Sequence, residues 1–328
     1  MTLRPPTIDD VHKARTRLAG LLPRTPLLRH PLLEQALGCE VWVKHENHLP
    51  TGAFKVRGGL NLIGEMVAAE GVRPVITAST GNHGQSIALA CQRHQVPCTV
   101  VVPRGNNPDK NAAMRAFGAD VVEVGADFDA AREEVERRVA AEGLRYVHSA
   151  NEPLLIAGVG TYALEVFEEL QDIDTVFVPI GGGSGASGLV TVRDGLQRKT
   201  TIVGVQAVEA DAFTRSWRTG TRVTADRVNT FAEGVACRVT FDLPFGILQR
   251  GLHDIVTLSE EELEEGVRLA LELTHNLAEG AGAAALMAAW KDRDRLRGRR
   301  VVCIMSGGNL TMPTLRKIVA GAREAQPA

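Results

Sequence analysis

The sequence has no excess of charge of either sign, since 37 Lys and Arg residues face 39 Asp and Glu residues and leave a formal net charge of -2. No block of like charges occurs, which argues against nucleic acid as a partner. Five Cys residues, an odd number without CxxC spacing, indicate buried free thiols in a reducing compartment. No apolar run reaches about 18 residues and no secretory signal is visible, so we expect a soluble, cytoplasmic protein without a membrane segment.

What the sequence does contain is a regular alternation of short apolar runs and longer amphipathic stretches, which is typical of βαβ units. The length of the chain favours about two domains. A first set of strands is predicted at 75–78, 98–102 and 121–124, and a second set at 175–179, 201–205 and 301–305. Strands that are apolar along their whole length are covered by helices on both faces, so we expect parallel sheets in an α/β fold. The polar segment 219–227 is predicted to be a surface loop.

Lys55 stands in a segment of small residues, 50–59, that follows the apolar stretch 41–43. Its neighbours are Phe54 on one side and, shortly after it on the other, the pair Gly58–Gly59. Such surroundings can lower the pKa of a lysine, and a neutral lysine amine can form a Schiff base. A single lysine is more often a surface residue, so its role depends on what the rest of the chain brings to it.

In parallel α/β sheets, ligands bind beyond the carboxyl ends of the strands. The segment that follows the strand 75–78 offers hydroxyls, an amide and backbone N–H groups at a helix start, which suits a carboxylate. The alternative is a helix N-cap with a glycine turn. The candidate substrate-binding residues of this segment are Ser79, Thr80, Gly81, Asn82 and His83. For His83, a structural role is the alternative.

A glycine-rich loop follows the strand 175–179, and its backbone donors can converge on a phosphate at a helix N-terminus. It lacks the Gly-Lys-Ser/Thr end of a P-loop. The spacing of Gly183 to Gly188 is formally GxGxxG, but an NAD site also needs an acidic residue at the end of the next strand, where Gln206 stands. The candidate phosphate-binding residues are Gly181, Gly182, Gly183, Ser184 and Gly185. With Lys55 and the hydroxyl of Ser306 after the last strand, this inventory fits pyridoxal 5'-phosphate.

These motifs resemble those of the fold-type II pyridoxal phosphate enzymes, in the threonine/serine dehydratase and serine racemase group, over nearly the whole chain. The resemblance implies a tryptophan-synthase-β-like α/β fold with two parallel-rich, helix-flanked sheets. It also implies a large cofactor domain (residues 1–73 and 152–328) into which a small domain (74–151) with the substrate-carboxylate loop is inserted. Residues 151–153 resemble the return between the two, and the family habit is a homodimer.

The resemblance also implies a role for each candidate. Lys55 corresponds to the Schiff-base lysine and the base that removes the α-proton, and Phe54 packs against the cofactor ring. Asn82 corresponds to the partner of the ring hydroxyl, Glu279 to a residue lining the cofactor, and Ser306 to the partner of the pyridine nitrogen. The reaction implied is an α,β-elimination of water from a 3-hydroxy amino acid that yields a 2-keto acid and ammonia. A neutral serine at the ring nitrogen makes a weaker electron sink than a carboxylate, which suits elimination.

Some residues depart from the family pattern. Gln206 and Ala212 stand where serine racemases have carboxylate metal ligands, so no divalent metal is expected. Thr80 takes the place of the racemase serine, which leaves an amino-acid racemase as the alternative activity; a non-catalytic amino-acid or nucleotide binder is a third. The segment near Phe128 shows no arginine at the place where some relatives bind an acidic side chain, which argues against 3-hydroxyaspartate.

Two segments, 44–48 and 274–283, resemble an ectoine-utilisation and phenylserine dehydratase subgroup, which implies a side-chain pocket suited to a substrate bulkier than threonine. The sequence given also shows no extension after residue 328 that would correspond to the effector domain of biosynthetic threonine deaminases. Feedback by isoleucine is therefore not expected.

Overall fold

The computed structural model describes residues 3–126 and 128–321, and within them the chain forms two sheets flanked by helices. The strands are β1 (Leu27–Arg29), β2 (Glu40–His45), β3 (Val75–Ala78), β4 (Cys98–Val102), β5 (Asp120–Glu123), β6 (Arg145–Tyr146), β7 (Thr175–Pro179), β8 (Thr201–Ala207), β9 (Asp254–Leu258) and β10 (Arg300–Met305). The helices are α1 (Ile8–Leu18), α2 (Pro31–Leu37), α3 (Lys55–Glu70), α4 (Asn82–Arg93), α5 (Pro108–Ala116), α6 (Phe128–Glu142), α7 (Pro153–Glu169), α8 (Ser184–Gly195), α9 (Ala212–Thr219), α10 (Asp242–Gly251), α11 (Glu260–Thr274), α12 (Gly280–Lys291) and α13 (Met312–Ala320).

The larger sheet has six strands in the order β1-β2-β10-β7-β8-β9. All its pairings are parallel except that of β1 with β2, which is antiparallel. β10 lies in the middle of this sheet, paired along its whole length with β2 and along three residues with β7. The strand of this sheet that comes last in the sequence therefore occupies a central position in it.

The smaller sheet has four parallel strands in the order β5-β4-β3-β6. It is built from residues between Val75 and Tyr146, within the segment 74–151 predicted to be the inserted domain. The predicted α/β class with two parallel-rich sheets is confirmed, while the domain boundaries themselves stay a prediction.

The predicted strands form with shifts of one or two residues at their ends, and one shift matters. The strand predicted at 201–205 continues to Ala207, so Gln206 lies inside β8 and is fully buried. Its amide oxygen accepts hydrogen bonds from the backbone N–H and the hydroxyl of Thr214, and its NH₂ donates to the carbonyl of Ile180. Gln206 therefore joins α9 to the turn that follows β7.

A group of buried charged side chains ties β2, α3 and α7 together. The guanidinium of Arg57 donates to both carboxylate oxygens of Glu46 and to both of Glu165. The ammonium of Lys44 donates to Glu165 as well, and Thr25 donates its hydroxyl to Glu46. Arg57, Lys44 and Glu46 are each at most 2% exposed. The group fixes the first turn of α3 against the larger sheet.

Helices α3 and α7 approach each other so closely that only glycine fits at one contact. A Cβ on Gly158 would lie 2.6 Å from the carbonyl oxygen of Arg57 and 2.9 Å from the Cα of Gly58. We expect Gly158→Ala to lower the free energy of unfolding by about 1–3 kcal/mol, because backbone atoms must move apart. Gly246→Ala in α10 is the control, since no atom lies within 4 Å of its Cβ position. Denaturant unfolding compares the two, and an equal effect of both would contradict the expectation.

Two further observations bear on the setting of the protein. All five cysteines are free thiols; four are buried as the sequence predicts, and Cys237 is half-buried. Among residues 3–126 and 128–321, none of the helices combines the length and the apolar character that crossing a membrane requires.

Candidate active site

A cavity of about 830 Å³ opens where the carboxyl ends of strands from both sheets meet. Every residue that the sequence predicts for the site lines this cavity, although these residues come from segments up to 252 positions apart, Phe54 and Ser306 being the outermost. The lining residues predicted from sequence are Phe54, Lys55, Ser79, Thr80, Gly81, Asn82, His83, Gly181, Gly182, Gly183, Ser184, Gly185, Glu279 and Ser306.

Lys55 is the first residue of α3, and its side chain crosses to the glycine loop. Its Nζ donates to the hydroxyl oxygen of Ser184 at 2.9 Å and to the carbonyl of Ser149 at 3.3 Å. The same Nζ lies 5.2 Å from the centre of the Phe54 ring. Burial lowers the pKa of Lys55 to about 8. Because no carboxylate in the described part of the chain holds this ammonium, a usable fraction of it is the free amine, the form that attacks a carbonyl.

The glycine loop runs from the end of β7 to the start of α8. Gly183 has φ +90°, and a Cβ there would meet Pro244 at 2.9 Å. A Cβ on Gly181 would lie 2.2 Å from the carbonyl oxygen of Gly234. Side chains are therefore excluded at these two positions. The loop exposes backbone N–H groups at the positive end of α8, which is an anion site.

The loop from Ser79 to His83 serves partly as the N-terminus of α4. The Ser79 hydroxyl oxygen accepts hydrogen bonds from the N–H groups of Gly81 at 3.2 Å and Gly84 at 2.8 Å. Ser79 therefore has the role of the alternative given above, in which this segment caps the start of a helix. Thr80 and Asn82 line the cavity at the start of α4.

His83 borders the cavity but is anchored in the small sheet. Its Nε2 lies 3.0 Å from the hydroxyl oxygen of Thr77 on β3, and its Nδ1 is buried without a partner among the described residues. Burial, with Lys55 nearby, lowers the pKa of His83 to about 3, so the ring is neutral. The structural alternative therefore accounts for Nε2.

Asn82 and Glu279, which both line the cavity, form a chain of hydrogen bonds with Asn309. The Asn82 amide donates to Glu279 at 2.6 Å and accepts from Asn309 at 2.7 Å. Burial raises the pKa of Glu279, which Lys110 and Asn82 only partly oppose.

Ser306 follows β10 on the opposite side of the cavity. Its carbonyl oxygen accepts the backbone N–H of Phe54 at 3.0 Å, which fixes the residue before Lys55. Its hydroxyl makes a long contact, 3.4 Å, to the carbonyl of Ala281. The hydroxyl is therefore available to a ligand.

Several lining residues were not predicted. Arg132, Tyr146 and His148 come from α6 and the end of β6. Arg132, which lies one helical turn beyond Phe128, lines the cavity, so this part of the wall does contain an arginine. The segment 219–227 is more than a surface loop, since its last two residues reach the cavity wall. The rule that ligands bind after strands would have indicated His148, had the two-residue strand β6 been recognised.

No group of three His, Cys, Asp or Glu side chains in the described part of the chain is placed to hold a metal ion. At the position corresponding to the racemase metal site, the amide of Gln206 is bonded to protein, and the nearby Asp211 pairs with Arg215 at 2.9 Å.

The residues present fit pyridoxal phosphate. The cavity offers a buried amine bonded to neutral oxygens, a glycine-rich anion cradle at a helix start, and a hydroxyl with spare hydrogen-bonding capacity at Ser306. When bound, the cofactor supplies an aldehyde for the substrate amine and a ring that accepts the electron pair of the α-carbon.

Comparison with known proteins agrees with this geometry. The family described as "Pyridoxal-phosphate dependent enzyme" matches residues 18–307. The chain is 34% identical to the L-threonine ammonia-lyase of Thermotoga maritima over 313 residues, which are 95% of this chain and 78% of that one. It is 33% identical to the L-threo-3-hydroxyaspartate ammonia-lyase of a Pseudomonas species, with coverage of 95% and 98%.

Among solved structures, a T.th. threonine deaminase superposes with a TM-score of 0.88 at 33% identity and covers 94% of this chain and 99% of its own. The cavity, its lysine and these likenesses lead to one assignment. This chain belongs to the pyridoxal-phosphate dependent enzymes of fold type II, in the threonine/serine dehydratase family, and is an ammonia-lyase.

Proposed function

We propose that the protein removes water from a 3-hydroxy amino acid and releases a 2-keto acid and ammonia, with Lys55 as the base. The observation that carries this is the position of the Lys55 amine. It is buried in the cavity, has a pKa lowered to about 8, and is held by the neutral oxygens of Ser184 and Ser149. An amine in this state accepts an α-proton near neutral pH.

The other lining residues bind and orient. The N–H groups of residues 181–185 hold the phosphate, and the hydroxyl of Ser306 meets the pyridine nitrogen. Asn82, through its second N–H, meets the ring hydroxyl, and Glu279 fixes the Asn82 amide. The helix start from Thr80 to Asn82 binds the substrate carboxylate. Each of these roles is a proposal supported by the placement of the residues around one cavity.

The test is keto-acid release by the holoenzyme from L-serine, L-threonine, L-threo-phenylserine and L-threo-3-hydroxyaspartate. We expect turnover of at least one of the four, together with one equivalent of ammonia per keto acid. Absence of both products from all four would contradict the proposed function. Chiral analysis of the remaining substrate tests the racemase alternative, for which the hydroxyl of Thr80 on the cavity wall is the motivation.

A substrate with an acidic side chain is the second candidate, and the observation that favours it is Arg132 on the cavity wall. Arg132 pairs with Glu136 at 2.6 Å, so a substrate carboxylate would share it. If 3-hydroxyaspartate is the substrate, Arg132→Leu reduces its kcat/KM while turnover of L-serine is retained. A preference for phenylserine would instead support the bulkier pocket that the segments 44–48 and 274–283 suggest.

We also propose a cytoplasmic homodimer. The free thiols fit a reducing compartment, and the dimer follows the habit of the family that the sequence resembles. Light scattering on the purified holoenzyme tests the dimer.

A further inference from the structure

His148 is a cavity residue that has no role in the proposed function. It follows β6 and precedes the return of the chain into α7, and it lines the cavity. The next residue, Ser149, provides the carbonyl that accepts from Lys55 Nζ. His148 therefore lies beside the amine that acts as the base.

The structure determines which nitrogen of this ring carries the proton. The backbone N–H groups of Ala150 and Asn151 both donate to His148 Nδ1, each at 3.0 Å. A nitrogen that accepts two hydrogen bonds has its lone pair in use and carries no hydrogen, so the proton of the neutral ring is on Nε2. Nε2 has no protein partner among the described residues, and it is the nitrogen left to face the cavity.

The ring is held in this orientation and stays neutral. Phe241 packs against it edge to face, with the ring centres 4.6 Å apart. Asn151 is fixed in turn, because its side-chain oxygen accepts the N–H of Leu243 at the start of α10. Burial, with Lys55 and Arg132 nearby, lowers the pKa of His148 to about 4. At neutral pH His148 is thus neither an acid nor a base, and what it offers is a preoriented N–H donor.

Among the polar groups of a 3-hydroxy amino acid, the amine goes to the Lys55 side and the carboxylate to the helix start at residues 80–82. The 3-hydroxyl is the group left for a donor next to Lys55. We propose that His148 donates a hydrogen bond from Nε2 to the 3-hydroxyl oxygen and stabilises that oxygen as it leaves, an inference that rests on the proposed dehydratase function. His148 is then a catalytic residue of the elimination.

The step balances without a proton from His148. Lys55 takes the α-proton, the electron pair of that C–H bond forms the Cα–Cβ double bond, and the Cβ–O bond breaks with its pair on oxygen. The oxygen leaves as water with the proton that Lys55 took. The His148 N–H lowers the cost of the negative charge that builds on the oxygen in between, as a fixed donor does in an oxyanion hole.

The test compares two leaving groups in holoenzyme variants. L-serine loses an oxygen that needs a donor, whereas 3-chloro-L-alanine loses chloride, which does not. We expect His148→Phe to lower kcat with L-serine about 100-fold and kcat with 3-chloro-L-alanine less than about threefold. His148→Gln places an amide N–H near the Nε2 position and is expected to recover most of the lost turnover.

An equal loss with both substrates, or no loss with either, would overturn the proposal. An equal loss together with weaker cofactor binding would assign the Nε2–H to the cofactor phosphate instead. Nitrogen-15 NMR of the histidine rings in the wild-type holoenzyme is independent of turnover: we expect the Nε2–H form at pH 7, and an Nδ1–H form or a charged ring contradicts the inference. Failure of the dehydratase function itself shows in the wild type, which would then release no keto acid from any 3-hydroxy amino acid.

Discussion

Lys55→Ala is expected to lower keto-acid release by at least about 10⁴-fold, the upper range for loss of a general base, because the same amine also anchors the cofactor. The side chain is bonded to Ser184 and Ser149, both polar oxygens on the cavity wall. Its removal therefore leaves no carboxylate unpaired among the described residues, and the variant should fold. The measurement is keto-acid release at saturating substrate, with circular dichroism to confirm the fold.

Borohydride treatment separates loss of the anchor from general damage. The wild-type holoenzyme should retain the cofactor covalently after reduction, and Lys55→Ala should not. Lys110→Ala is the matched control, since Lys110 lines the same cavity but pairs with Glu233 at 2.7 Å. It should keep the covalent label. A Lys55→Ala protein that is still labelled would show that another lysine holds the cofactor.

Arg57→Ala is expected to have the largest effect on stability, a loss of about 3–5 kcal/mol, because it leaves two buried carboxylates without their main partner. Glu46 is fully buried, and Glu165 keeps Lys44 as a charged partner. The measurement is denaturant unfolding at pH 7. The control is Arg297→Ala, which breaks an ion pair whose two side chains are 78% and 83% exposed and should change stability by less than about 1 kcal/mol.

The pH dependence gives a second check on the same network. Burial alone raises the pKa of Glu165, but Arg57 and Lys44 outweigh it, so its pKa lies below the ordinary value. A depressed carboxyl pKa contributes stability above the unfolded-state value, about 4.3 for Glu, and the contribution is lost as pH falls through the folded-state pKa. The gap between wild type and Arg57→Ala should therefore narrow as pH falls toward and below about 4.3, because protonation of Glu165 removes the charge that Arg57 stabilises. A gap that does not depend on pH would mean that the lost stability is packing alone.

How much of this could be predicted from sequence depended on the length and pattern of each element. Strands β3, β4, β5, β7, β8 and β10 were predictable because each contains a continuous apolar run. The site residues were predictable because they follow those runs and match spaced family motifs. Helix α7 was missed because it is buried on all sides from Leu155 to Phe167 and shows no amphipathic period. Strand β1 was missed because it has only three residues, two of them exposed.

Charged residues gave the least information from sequence. Arg57 and Glu165 stand 108 positions apart, and nothing local marks them as a buried pair. Arg132 was not predicted to line the cavity, for a similar reason. Its distance from Phe128 is one helical turn, and only the packing of α6 against the small sheet shows that it lines the cavity. Which residues far apart in sequence come into contact depends on the topology of the fold, and a single sequence does not reveal that topology.

The central position of β10 has a consequence for the order in which the protein is made. Residues 75–146 contain every strand of the smaller sheet, so this part can form while the ribosome is still at work. The larger sheet cannot be completed at that stage, because β10 (Arg300–Met305) is the strand that lies between β2 and β7 and pairs with both. Ser306, which fixes Phe54, follows directly. A nascent chain released before about residue 306 would thus have unpaired strand edges and an incomplete cavity. We expect it to bind cofactor poorly and to be prone to aggregation.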